Sequence, residues 1–150
     1  MARIRLAAPI AIVLALAMTP ALAGCFGNPV ETIIEGATGG EVDLGGTSIP
    51  DGFPAEVPVI DGEIVYGAGI GSGADKIYNV TVKVADGSVL QQIKTDLEAA
   101  GFASQGDVTD EAGGGTFIGS NDTLAVLVVV SNDGTNGWVA NYTVTPAGAP

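Results

Sequence analysis

Few residue types in this sequence are suited to catalysis. The chain has 150 residues, no histidine and a single cysteine, Cys25. Without histidine, the chain cannot supply a Ser-His-Asp triad, a Cys-His dyad or a His-ligated zinc site. With one cysteine it cannot form an intrachain disulfide. Carboxylates are therefore the main side chains that remain as candidates for chemistry.

One group of carboxylates is close together in the sequence. Asp107, Asp110 and Glu111 come just before a glycine run, and carboxylates at such a position can ligate calcium. Their spacing does not follow the D-x-D-x-D-G calcium loop, and a solvated acidic loop is the alternative interpretation. Carboxylate pairs meet in space rather than in sequence, so a small carboxylate- or metal-dependent hydrolase stays open as an alternative function. No cofactor is expected.

A second set of candidates is apolar and would bind rather than react. Trp138 and Tyr142 lie on one face of a predicted strand, and aromatic pairs often anchor ligands at interfaces. The run 124–130 is apolar throughout and supplies Leu124, Val126 and Val128 as further candidates. For the aromatic pair, the alternative is packing in the core under a helix.

The amino-terminal residues have the layout of a signal peptide. Arg3 and Arg5 precede an apolar stretch, residues 6–18, and small residues follow it. The stretch is shorter than the about 20 residues of a membrane span. The segment ends in Leu22-Ala23-Gly24-Cys25.

These four residues resemble the bacterial lipobox, in which Leu, a small residue and Gly or Ala precede the cysteine. The resemblance implies that the Cys25 thiol carries a diacylglycerol and that cleavage falls between Gly24 and Cys25. The alternatives are cleavage near Ala23 with Cys25 merely nearby, or a buried apolar thiol. Two or three acyl chains give stable anchoring without a membrane span. The resemblance therefore implies a lipid-anchored protein on the extracytoplasmic face of the cell membrane; in a cell with an outer membrane, either membrane is open.

The charge of the chain restricts its partners. The formal net charge is −12, and loss of the signal peptide leaves 3 basic and 17 acidic residues, a formal charge of −14. Such a chain has no basic footprint for nucleic acid. Its charge also opposes lying flat on an anionic lipid surface. In size and acidity it resembles the small cell-surface lipoproteins of high-G+C Gram-positive bacteria.

The pattern of glycines and apolar residues predicts four segments: a signal peptide over 1–24, a lipidated cysteine and acidic glycine-rich tether over 25–52, one domain over 53–146 and a tail over 147–150. A poorly ordered terminus with no designed length is the alternative interpretation of the tether. The segment around 53–58 has two X-Pro pairs and is predicted to be extended.

One helix is predicted over 88–100. Ser88 is the expected N-cap, with Gln91 completing a capping box. Gly101 is placed to adopt the left-handed conformation of a Schellman ending, with Phe102 packing on Leu97.

The remaining elements are predicted to be strands. Residues 78–84 alternate strictly between apolar and polar, and 103–108 is an optional short strand. The order β-β-α-β-β-β predicts an α+β, two-layer sandwich, with one helix on a mostly antiparallel sheet of about five strands. Run 124–130 is apolar on both faces, and one helix covers only one. The segment 53–60, a second copy or a partner must then cover the other.

These observations favour a non-catalytic binding or interaction module of the cell envelope. Its expected partners are the membrane, through the lipid on Cys25, and an envelope protein or a second copy of the chain. A structural envelope component that acts through bulk and charge alone is a third possibility, beside the hydrolase.

Overall fold

A computed structural model describes residues 42–148, which form seven strands and one helix. In chain order the elements are β1 (Val42–Gly46), β2 (Glu63–Ile70), β3 (Ile77–Lys83), α1 (Val89–Ala99), β4 (Ala103–Thr109), β5 (Gly115–Ser120), β6 (Leu124–Asn132) and β7 (Trp138–Pro146). A single 3₁₀ turn, Gly73–Asp75, lies in the connection between β2 and β3.

All seven strands belong to one antiparallel sheet in the order β1-β2-β3-β7-β6-β5-β4. This confirms the α+β class, whereas the expected number of about five strands is wrong. The strands beyond the five are the two edges of the sheet: β1, which was not predicted, and β4, which corresponds to the optional strand over 103–108. Strand β1 falls inside the predicted tether, and every residue of β4 is exposed. Neither strand therefore has the alternating apolar pattern by which a half-buried strand is recognised.

Alternation along the central strands directs one set of side chains toward the helix. This set pairs across the sheet: Val80 with Tyr142, Tyr142 with Val128, and Val128 with Phe117. The helix adds Leu90, Ile93 and Leu97, which are at most 1% exposed. The fully buried side chains of this core have the aliphatic and aromatic character that close packing requires. We call this side of the sheet the covered face.

The ends of α1 show one confirmed prediction and one correction. Ser88 makes no side-chain cap hydrogen bond and has helical backbone angles. It is the N-cap residue, as predicted, but the expected capping box does not form: Asp86 Oδ1 accepts hydrogen bonds from the Ser88 N–H, at 2.8 Å, and from the Ser88 hydroxyl. At the other end Gly101 has a φ of 95°, and Phe102 N–H donates to Leu97 O at 3.0 Å. The predicted Schellman ending is therefore confirmed.

The segment over 53–60 also packs on the covered face. Val57 is buried in the core, and the Phe53 ring meets the Tyr78 ring edge to face at 5.7 Å between centroids. The Ile60 N–H donates to Tyr142 Oη at 3.1 Å. The expectation that this segment might cover the second face is therefore wrong. The segment is not extended throughout, as had been predicted, because the Val57 N–H donates to Pro54 O at 3.1 Å and closes a turn over 54–57. Its apolar side chains cover the core beside α1.

A glycine in β5 makes room for a fully buried aromatic ring of the same strand. The Phe117 ring lies along its own strand over Gly119, and a Cβ built on Gly119 would lie 2.8 Å from Phe117 Cε1. Because real Cβ atoms do not approach so closely, this position has to be glycine for the ring to keep its place.

Candidate functional site

The side of the sheet opposite α1 carries most of the exposed apolar surface; we call it the open face. Within residues 42–148, seven large apolar side chains are more than a third exposed, and the strand register places six of them here. They are Tyr66, Ile70, Ile77, Val108, Ile118 and Leu127. The seventh, Ile49, lies in the connection between β1 and β2. Single exposed apolar residues are ordinary, but six on one face form a patch that calls for an explanation.

The six residues form two groups on either side of the sheet centre. Tyr66, Ile70 and Ile77 lie on β2 and β3, and we call them the β2 flank. Leu127, Ile118 and Val108 lie on β6, β5 and β4, and we call them the β5 flank. Strand β7 runs between the flanks and is the fourth of the seven strands.

The centre of the open face is polar, and its two amide groups are hydrogen-bonded to one another and to two threonine hydroxyls. Asn79 Nδ2 donates to Asn141 Oδ1 at 3.1 Å and to Thr143 Oγ1 at 3.0 Å. Asn141 Nδ2 donates to Asn79 Oδ1 at 3.0 Å and to Thr81 Oγ1 at 2.7 Å. We call these four residues the polar ladder. Because both amides already have donors and acceptors paired, the ladder can lose contact with water at little cost.

The open face is almost without charge. Four charged residues lie within the described strands, and Asp43 and Asp107 are on the covered side of the sheet. The other two, Glu63 and Lys83, are cross-strand partners on the open side. The other acidic residues of 42–148 lie in the helix and in the connections between strands.

The apolar residues proposed for binding lie on the covered face. Val126, Val128 and Tyr142 are buried, while Leu124 and Trp138 are partly buried against the core. These five residues therefore stabilise the folded domain. The alternate residues of strand β6, which are Ala125, Leu127 and Val129, lie on the open face. The apolar residues on both sides of run 124–130 already indicated a second apolar face. They did not indicate which of the two sets of alternate residues the helix would cover.

Burial also sets the chemistry of Tyr142. Desolvation raises the pKa of its phenol to about 12, and the hydrogen bond from the Ile60 N–H acts in the opposite direction. The group is therefore neutral over the ordinary pH range and serves as a hydrogen-bond acceptor in the core.

The three carboxylates proposed as metal ligands have separate roles. Asp107 Oδ1 lies 2.9 Å from Lys94 Nζ, and this hydrogen bond raises the pKa of the lysine. Asp110 Oδ1 accepts the Ala112 N–H at 2.8 Å in a local turn. Glu111 is exposed beside it. Within residues 42–148 no group of three His, Cys, Asp or Glu residues is placed to hold a metal ion.

The lipidation candidates, Gly24 and Cys25, lie outside the described residues. Within residues 42–148 no helix is both long and apolar enough to cross a membrane. Comparison with protein-family models, curated proteins and solved structures finds no match to this chain. Its function must therefore be inferred from its own residues and geometry.

Proposed function

We propose that this chain is a lipid-anchored, extracytoplasmic interaction module of the cell envelope that works by binding rather than by catalysis. The lipobox-like segment Leu22-Ala23-Gly24-Cys25 supports the anchor on Cys25 and the location on the outer side of the cell membrane. A domain held there meets its partners at a raised effective concentration, so modest contact surfaces suffice for binding.

The open face carries the proposal for the domain itself. Its six exposed apolar side chains surround a polar ladder that is already hydrogen-bonded, and its only charged strand residues within 42–148 are one cross-strand pair. Exposed apolar patches of this kind mark interaction sites on soluble domains. Interface centres are likewise depleted in charge and enriched in apolar and aromatic residues.

The anchor is tested by the fate of Cys25. Cells that express the chain are grown with a labelled fatty acid, and the mature amino-terminal peptide is examined by mass spectrometry. We expect a lipid on Cys25 and none in the variant Cys25→Ala, which should also leave the membrane fraction. An unmodified Cys25 peptide that begins elsewhere would remove the anchor from the proposal.

The interaction role is tested with a photo-cross-linking residue at Leu127, on the open face. The control carries the same residue at Gln91, which is exposed on the helix. We expect a discrete cross-linked product from position 127, identified by mass spectrometry, and none from position 91. Equal capture at both positions, or none at either, would contradict the interaction role and turn attention to small ligands.

A further inference from the structure

We propose that the partner of the open face is a second copy of this chain, packed face to face about a two-fold axis. This inference rests on the proposed interaction role and identifies the molecule that binds the open face. The reasons are the symmetry of the apolar and polar pattern, the area of the face and the distribution of charge.

The pattern on the open face is self-complementary. Apolar residues form the β2 flank and the β5 flank, and the polar ladder lies between them on β3 and β7. A two-fold axis between two facing sheets and parallel to β7 places the β2 flank of each copy opposite the β5 flank of the other. The same axis places ladder opposite ladder. An isologous contact requires this kind of self-match.

The polar ladder is compatible with burial in such a contact. Asn79 and Asn141 exchange hydrogen bonds, and each also donates to a threonine hydroxyl. A buried amide without a partner would weaken the interface, whereas a closed network does not. The ladder also restricts the relative position of the two sheets. If the sheets were shifted, the ladder of one copy would lie against an apolar flank of the other, and polar groups would face apolar ones.

The face is large enough for a specific dimer. Seven strands spaced about 4.8 Å apart, each about seven residues long, give a surface of roughly 800 Å². A standard-size specific interface buries about 800 Å² per partner. Packed sheets lie about 10 Å apart, so interdigitated side chains from the two open faces would fill the space between them.

Charge allows this contact despite the acidity of the chain. The open face presents only Glu63 and Lys83 among the charged strand residues of 42–148, and these two oppose one another. Asp43 and Asp107 are on the covered side, and the other acidic residues of 42–148 lie in the helix and in the connections between strands. These acidic groups repel one another between the two copies. Raising the ionic strength from about 0.05 M to about 0.5 M screens that repulsion without weakening apolar burial. We therefore expect more dimer at higher salt, the reverse of an interface held by opposite charges.

The test uses the full lipoprotein on intact cells. Thr143→Cys introduces a thiol at the middle of β7, next to the proposed axis, and Gln91→Cys is the matched control on the helix. A short bis-maleimide reagent is added to each. We expect a dimer band from Thr143→Cys and monomer from Gln91→Cys. Adding Leu127→Arg should lower the dimer fraction about tenfold or more, because it places an unpaired charge in an apolar contact.

Ile49→Arg provides the second matched control. Ile49 is 44% exposed, similar to Leu127 at 37%, but lies outside the open face, so its replacement should leave the dimer fraction unchanged. Resistance to protease, compared among the variants, shows that each one folds.

The outcomes separate the inference from the proposed function. A dimer that survives Leu127→Arg, or is lost equally with Ile49→Arg, would overturn this interface. A cross-link from Thr143→Cys to a different protein, lost with Leu127→Arg, would overturn self-association and leave the interaction role standing. Thr143→Cys that remains monomeric and reacts with a monofunctional maleimide as fast as Gln91→Cys would overturn both.

Discussion

The two faces of the sheet are built from similar residues but have different surroundings. In strand β6, Val126, Val128 and Val130 are at most 1% exposed on the covered face. Leu127, between two of them, is 37% exposed on the open face. The covered face receives both the helix and the segment over 53–60. Apolar character alone therefore does not decide which side chains are buried in this domain. Burial depends on which face of the sheet the helix and the segment over 53–60 cover.

The comparison also separates stability from binding. The covered face has its aromatic and aliphatic side chains in contact with α1 and with Val57, so changes there should act on folding. The open face has few contacts to lose in a single copy, so changes there should act on association. Each prediction below tests whether this division holds.

The largest effect should come from neighbouring residues of β5 that point to opposite faces. Phe117→Ala removes a fully buried ring beneath the helix and should lower the free energy of unfolding by about 3–5 kcal/mol. Ile118→Ala should cost less than about 1 kcal/mol, because its side chain is 45% exposed. Urea unfolding of both variants at low protein concentration gives the two values. Similar losses would show that the open face is also part of the folded core.

The next effect is alkaline destabilisation through Tyr142 on the covered face. Its pKa is raised from 10.0 to about 12 by burial, so the folded state keeps the phenol neutral where the unfolded state ionises. The corresponding stability is complete below pH 10 and is lost as the pH rises through about 12. The loss is on the order of 3 kcal/mol.

The matched comparison for this effect is Tyr142→Phe. The free energy of unfolding, measured from pH 9 to 12, should fall less steeply in the variant, because the variant lacks the buried phenol whose ionisation favours the unfolded state. Parallel pH profiles would show that the Tyr142 phenol ionises equally readily in the folded and unfolded states.

A smaller effect should follow from two glycines in neighbouring strands. Gly119→Ala places a Cβ 2.8 Å from the Phe117 ring on the covered face and should cost about 1–3 kcal/mol. Gly106→Ala meets no atom within 4 Å, so it should be neutral or slightly stabilising through the lower entropy of the unfolded chain. Thermal unfolding of the two variants distinguishes them. Equal melting temperatures of the two variants would show that the Phe117 ring moves aside at no measurable cost.

The smallest effect should come from Asp107→Asn, which removes the ion pair between β4 and α1. The pair is exposed, so water and salt screen it, and the shift in melting temperature should be the least of the series. It should also disappear at high salt. A calcium-dependent melting temperature in the native chain that this variant loses would instead assign Asp107 to a metal site.

Local patterns in the sequence predicted the elements that depend on neighbouring residues. The helix, its ending at Gly101 and the alternating strand β3 follow from apolar spacing and from one glycine with positive φ. The N-cap position at Ser88 was predicted correctly, but its capping box does not form, because the Ser88 hydroxyl donates to Asp86 instead. The hydrogen bond from the Leu90 N–H to Gly87 O shows a turn before Ser88 that the sequence pattern did not indicate.

The rest depends on contacts between distant parts of the chain. Strand β1 contains two glycines in five residues, and only its pairing with β2 makes it a strand. The open face could not be assigned from run 124–130, since both of its sides are apolar. One side of β6 became the core because Phe53, Val57 and the helix pack on it. These residues lie in parts of the chain that are distant from run 124–130 in sequence.

The position of β7 has a consequence for how the chain acquires its structure. Strand β7 is the last strand along the described chain. It nevertheless lies between β3 and β6 in the sheet and pairs with both, so these two strands are joined only through β7. Before β7 emerges from the ribosome, the earlier described strands can form only two separate meanders, β1–β3 and β4–β6. Long-range pairing of this kind is slow to form, so a nascent chain stays open late in synthesis, a state suited to passage through a narrow pore. Truncation before Trp138 should accordingly leave two halves without a common sheet.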